Sequence, residues 1–256
     1  MLVRSWNVFH GRPAAPKRRL YLEEMVRLVT DDRPEVVLLQ EVPAWALPRL
    51  GGWSGMTAVA DVAQRSRLGV LPIPAEAGRL LTALHPGVLR SAFSGQGNAI
   101  LLDPSLRPVA HEVLTLNPRA VRRAAARRLG LSWSVRRAWA KERRICSFVR
   151  LDPGLVVANL HATSFPADCR VPAAELDRAR SFAETWAGAG DTIVLGGDFN
   201  VGPDGAAWAG WSDPGPWIDH ILVRGGSPGP LRVWPDARRS PAGMLLSDHA
   251  PVELEL

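Results

Sequence analysis

The chain is poor in cysteine, tyrosine and lysine, and it has no long apolar run. Two cysteines in 256 residues, Cys146 and Cys169, are too few for the disulfide framework of a small secreted domain and lack the spacing of a metal site. Both are expected to be small buried hydrophobes. No stretch approaches the roughly 18 to 20 apolar residues that span a bilayer as a helix, and the opening "MLVRSWNVF" has no charged-then-apolar leader. The expectation is a soluble protein of the cytoplasm. Lysine is almost missing: Lys17 and Lys141 are the only two among 31 basic residues. Arginine abundance alone therefore says little, and its placement says more.

That placement is uneven. The formal net charge is +6, yet segment 117–144 holds nine arginines and Lys141 against one acid, Glu142, which leaves the remainder net acidic. Asn117-Pro118 reads as a helix opening, Asn as N-cap and Pro at the first helical position, with Gly130 as the stop. Arg119, Arg122, Arg123 and Arg127 then share a face opposite Val121, Ala125 and Leu129, and Arg136 and Arg137 follow. One reading is a solvated amphipathic helix. The other is a clamp for a polyanion, with arginines on phosphates and Trp133 and Trp139 stacked on bases; an anionic membrane surface is a third partner for such a helix.

A hydrophobic content of 46% is enough for one sizeable core, so one domain over 1–256 is expected, with the Arg-rich part as a helical insertion. Strands are expected at "LVRSWNVF" (2–9), "VVLLQEV" (36–42), "GNAILL" (97–102), "ICSFVRL", "LVVANLHATS", "TIVLGGDFN", "WIDHILV" and the closing "SDHAPVELEL". Helical spacing covers 18–29 and 173–187, and 43–89 reads as a loose helix and loops. Many strands with few helices point to two packed sheets flanked by helices.

Polar groups stand where the apolar strands stop: Asn7, Glu41, His161, Asp198, Asn200, Asp219, Asp248 and His249. Singly, each could cap a turn. As a set they offer the carboxylate and amide oxygens that hard cations prefer. In "LGGDFN" the period of two puts Asp198 and Asn200 on one side, at a strand end.

In order, "SWNV", "LLQEV", "GNAILL", "NLHATS", "GGDFN", "IDHILV" and "SDHAPV" resemble the motif series of the endonuclease/exonuclease/phosphatase superfamily, the metal-dependent phosphoesterases similar to deoxyribonuclease I, from residue 5 to 252. The resemblance implies an α/β fold, a four-layer α-β-β-α sandwich of two mainly antiparallel sheets. It implies Glu41 as chief ligand of Mg²⁺ (Mn²⁺ or Ca²⁺ as substitutes), with Asn7 and Asp248 assisting. Asp198 would hold or deprotonate the attacking water, Asn200 would orient it, Asp219 would set the charge of His249, and His249 and His161 would act on the phosphate. Phe199 and His220 alternate with these residues and should pack inward. The acid that in deoxyribonuclease I partners the histidine matching His161 has no aligned counterpart here; Glu76 and Glu112 are candidates by composition only. The short 201–218 link should leave one rim of the cleft low. The implied activity is phosphodiester hydrolysis, with DNA as leading substrate. A phospholipid or sugar-phosphate substrate, or a non-catalytic nucleic-acid-binding module, is the alternative.

Overall fold

Alternation along each strand decides what faces what. In β2 (Val36–Val42), Val36 and Leu38 point one way, into a cluster with Val149, Val157, Val194 and Ile221 of a second sheet. Val37 and Leu39 point the other way, onto Met25, Val26 and Val29 of α1 (Leu22–Thr30). A strand buried on both faces needs no polar alternation, which is why it reads as a continuous apolar run.

The computed structural model describes residues 1–15, 19–68, 71–84, 93–165, 167–206, 208–212 and 215–256. The remaining strands are β1 (Leu2–Asn7), β3 (Thr57–Gln64), β4 (Arg67–Leu68), β5 (Leu71–Pro72), β6 (Gln96–Leu102), β7 (Arg107–Thr115), β8 (Ile145–Asp152), β9 (Leu155–His161), β10 (Thr192–Asp198), β11 (Asp219–Arg224), β12 (Arg232–Val233) and β13 (Val252–Glu255). One sheet runs β12-β13-β1-β2-β6-β3 and the other β11-β10-β9-β8-β7, with β4-β5 a separate small pair. Among the described strands, only β1–β2 and β9–β10 pair in parallel. Outside the second sheet lies α6 (Arg170–Trp186), whose Leu176, Ala179 and Ala183 cover Phe148, Ala158 and Leu195. The result is the expected helix-sheet-sheet-helix sandwich, open at its edges.

Three local expectations are corrected. Segment 43–89 is not only helix and loops: β3 pairs with β6 over its length, alongside the short α2 (Leu50–Ser54) and α3 (Ala75–Leu84); residues 69–70 and 85–89 lie outside the described part. Cys169 is exposed, while Cys146 is buried as expected. The Arg-rich segment folds as α4 (Arg119–Arg128) and α5 (Trp133–Trp139), and Asn117 does not cap α4. Its buried amide donates to the carbonyls of Trp139 (3.3 Å) and Glu142 (2.8 Å) and accepts from Arg144 N (3.0 Å). Asn117 thus closes the base of the insertion, because a side chain that can bridge two chain ends satisfies more buried groups than a cap would. No described helix is long and apolar enough to cross a membrane.

Candidate active site

The inward faces of four strands end in polar residues. Val3, Ser5 and Asn7 share it on β1, Val157, Asn159 and His161 on β9, Val194, Gly196 and Asp198 on β10, and Val223, Ile221 and Asp219 on β11. Pairing of Asp198 with both His161 and Asp219 brings three of these ends side by side. Asn7 arrives from the opposite sheet and donates to Asp198 Oδ2 at 2.9 Å.

Glu41 breaks the alternation. Gln40 occupies the inward position, so a regular strand would turn Glu41 toward α1. Instead the register with β6 shifts between Leu39 and Val42, and Glu41 takes φ 54°. Such a bulge re-aims one side chain. The carboxylate comes to lie 3.7 Å from His161 Nε2 and 3.3 Å from His10 Nε2. His10, Asn200 and Ser247 also have positive φ, so backbone strain gathers at this mouth. Just below it, buried Gln40 donates to Asn159 Oδ1 (2.8 Å), and Asn159 donates to the carbonyls of Leu39 (2.9 Å) and Ala99 (2.8 Å), fastening the sheets together.

Asp198 is 2% exposed. Its Oδ1 accepts from Asn200 N at 3.0 Å, and its Oδ2 lies 3.7 Å from His161 Nε2 and 3.9 Å from His249 Nε2. Burial and the neighbouring Asp219 push its carboxyl up to about 6, against the lowering influence of His249, Asn7 and Asn200. Burial pulls His249 down, but its 2.8 Å hydrogen bond to Asp219 and the charges of Asp219, Asp198 and Asp248 outweigh that and push it up to about 10. His161 goes the opposite way. Burial and then Arg144, whose Nη1 lies 2.9 Å from Nε2 and 3.0 Å from Nδ1, hold it well below 6.5, so it is neutral.

Two residue groups could meet a metal ion. Ligand atoms of Asp198, Asp219 and His249 lie within 4.8 Å of one another, and Asp219 Oδ1 is buried without a hydrogen-bond partner. Within this trio His249 Nδ1 and Asp219 Oδ2 are already bonded to each other at 2.8 Å, which suits the pair to proton control. Glu41 is the better fit: its carboxylate is 20% exposed and pairs with no arginine or lysine among the described residues. Hard divalent cations take such oxygens and keep several waters.

Of the residues expected from sequence, Asn7, Glu41, His161, Asp198, Asn200, Asp219 and His249 form this continuous constellation. Asp248 is exposed at its edge, with Ser247 Oγ 3.5 Å away, and touches neither Glu41 nor Asp198 among the contacts found. Asn7 Oδ1, the atom a cation would want, already accepts from Phe9 N at 3.0 Å. One amide hydrogen of Asn200 goes to Ala162 O at 3.1 Å. Phe199 and His220 are fully buried, as expected. The two glycines before Asp198 serve close packing within the protein. A Cβ on Gly196 would lie 2.5 Å from Leu38 Cδ1 of the facing sheet, and one on Gly197 (φ 140°) would lie 1.9 Å from Leu160 O. Close packing of strand on strand and sheet on sheet requires them.

Neither Glu76 nor Glu112 partners His161. Glu76 pairs with Arg49 (2.6 Å) and Arg79 (2.9 Å) on the surface, and Glu112 is exposed on β7. The partner is Arg144, itself bound to Glu142 at 2.7 Å. Sequence reasoning also missed His10 and Arg239. Buried Arg239 donates to the carbonyls of Leu246 (3.0 Å), Ser247 (2.9 Å) and His249 (3.0 Å), fixing the loop that carries His249. No motif marks it.

The arginines sort into two sets. Arg119, Arg122, Arg123, Arg136 and Arg137 line one surface concavity of about 370 Å³ with Trp133, which is 65% exposed and lies under Arg137 at 5.4 Å. Among the described residues no carboxylate lines it. Arg127 is outside it. Trp139 is buried and donates to Glu175 at 2.5 Å, so it cannot stack on a ligand.

Comparison with known proteins agrees with this architecture. The structure resembles TDP2 from Caenorhabditis elegans (TM-score 0.62, 13% identity, covering 99% of this chain and 73% of that one). It also resembles an endonuclease/exonuclease/phosphatase from Beutenbergia cavernae DSM 12333 (0.64, 16%, 100% and 71%). A third likeness is a mannosyl-6-phosphatase of Bacteroides thetaiotaomicron VPI-5482 (0.58, 17%, 100% and 98%). No curated protein matches the sequence. The family model for the endonuclease/exonuclease/phosphatase family matches residues 5–249, nearly the whole chain, and the chain belongs to that family of phosphoester hydrolases.

Proposed function

We propose that this protein is a divalent-metal-dependent phosphodiesterase that hydrolyses nucleic acid, DNA first, by in-line attack of water. The carrying observation is Asp198, a buried carboxylate raised to about 6 beside a histidine raised to about 10. A general base works best when its pKa lies near the working pH. At neutral pH Asp198 is ionised yet basic enough to take a proton from water, and His249 is a cation placed to meet a phosphate oxygen. Asn7 and Asn200 hold the two Asp198 oxygens in place. Asp219 keeps His249 charged and oriented. His161, neutral, is suited to donate a hydrogen bond to the phosphate rather than to give up a proton.

Glu41 would hold the metal, Mg²⁺ in the first place, with Asn7 and Asp248 reaching it through water. Bound there, the ion would polarise a phosphoryl oxygen and offset charge on the leaving oxygen. The Trp133 concavity supports nucleic acid as the substrate, since guanidiniums without acid partners neutralise phosphates and an exposed indole accepts a base. Purified protein should cleave an oligonucleotide or nick plasmid with Mg²⁺, stop with EDTA, and lose activity in Asp198→Ala. Metal-independent cleavage would contradict the mechanism. Turnover of sphingomyelin, a phosphoinositide or a sugar phosphate with DNA and RNA untouched would move the substrate to those classes.

A further inference from the structure

The two flanks of the site have opposite chemistry. Across the second sheet the order β11-β10-β9-β8-β7 places Asp219, Asp198 and His161 on three adjacent strands. Arg144 comes next, immediately before β8, and the Arg-rich helices span the link from β7 to β8. Neighbouring strands lie about 4.8 Å apart, so the basic concavity sits beyond the His161 side of the centre. Beyond the other side, past β11, is a cleft of about 470 Å³ that His249 and Asp248 border directly.

The walls of that cleft are apolar. Trp217 (61% exposed), Ile218 (37%) and Val233 (38%) stand in solvent, with Trp234 behind them. Three carboxylates line it, Asp236 and Asp248 at the exposed edge and Asp219 buried beneath. Among the described residues two basic side chains line it, and both are already paired: Arg239 is held by Asp236 at 2.7 Å and by three backbone carbonyls, and His249 by Asp219 at 2.8 Å. Arg238, stacked on Trp234 at 3.6 Å, is paired with Asp32 (3.1 Å) and Glu253 (3.5 Å). A polyanion passing through would bring its next phosphate within the roughly 8 Å over which charges still interact at physiological salt. Asp219 and Asp236 are matched by these cations, Asp248 is not, and no cation is left over for a second phosphate, so the cleft carries a net negative charge that would repel it. An uncharged ring, by contrast, could lie against Trp217 and Ile218 with its phosphoester beside His249.

We infer that the Trp217-Ile218-Val233 cleft binds the terminal, uncharged ring of the substrate while the anionic chain extends only toward the Arg-rich helices, so that hydrolysis takes place at chain ends. This rests on the phosphodiesterase reading above and specifies its substrate. The test compares a linear single-stranded oligonucleotide with a covalently closed circle of the same sequence, each with the intact protein and Mg²⁺. The linear molecule should be shortened stepwise from an end, and the circle should be cut at least 100-fold more slowly. Trp217→Ala should lower kcat/KM on the linear molecule about tenfold, the scale of one lost base-aromatic stack, with an unchanged unfolding midpoint because the indole is exposed. Circle and linear molecule cut at rates within threefold would overturn the inference and leave the phosphodiesterase reading standing. An unaltered Trp217→Ala would overturn it likewise. Cleavage of neither molecule would retire the nuclease reading, and this inference with it.

Discussion

Asp198 and His249 set the expected pH dependence. Activity requires Asp198 ionised, so it rises as pH passes about 6, and His249 protonated, so it falls as pH passes about 10. The kcat/KM profile should be a bell with those limbs. Asp219→Asn removes the charge that holds His249 up, so its upper limb should move down by more than one unit, and kcat/KM at pH 10 should drop by roughly fivefold or more. An unmoved upper limb would mean that another group carries it. Asp198→Asn separates chemistry from folding. The side chain's raised pKa means that its ionised form is disfavoured by the fold above pH 6, so the amide should melt at the same or a higher temperature while turnover falls by about 10² to 10⁴-fold. A variant that both melts lower and loses activity would point to a structural role.

The elements supply the rigidity those residues need. Asn159 bonds Gln40 and two carbonyls of the facing sheet, all buried. Asn159→Ala should therefore destabilise by about 2 to 4 kcal/mol, the scale of stranding several buried groups, as read by chemical denaturation. Arg122→Glu with Arg123→Glu should weaken oligonucleotide binding and flatten its salt dependence, while hydrolysis of bis(p-nitrophenyl) phosphate stays unchanged. Loss of both activities would place these arginines in the chemistry rather than in binding. At this scale the sequence was legible where burial was complete. The core strands β2, β9 and β10 announce themselves because both faces are covered. The edge strands β3 and β7 are largely exposed or half-buried and carry no apolar run, so propensity and period left them unread. The end of the first Arg-rich helix at Gly130 was legible, whereas the part played by Asn117 was hidden, since it finds its partners 22 and more residues away.

Over the whole molecule, the order of the two sheets converts scattered strand ends into one mouth. Motif order made the fold and most of the candidate site readable, because parity fixes which strand-end residues face inward. What the sequence could not show were contacts made by irregular backbone: the bulge at Glu41, the Arg144–His161 contact, and the loop held by Arg239. None follows a period. The central claim is that Glu41 brings a divalent cation to the phosphate that Asp198 and His249 act upon. It is tested most directly by titrating Mg²⁺ into EDTA-stripped protein while following oligonucleotide cleavage, for wild type and Glu41→Gln. The account predicts no turnover without metal, saturable recovery in the wild type, and at least a tenfold higher half-saturating Mg²⁺ for Glu41→Gln, since second-sphere and ligand losses weaken metal sites by about 10 to 100-fold. Full turnover in EDTA, or the same Mg²⁺ requirement in both proteins, would contradict it.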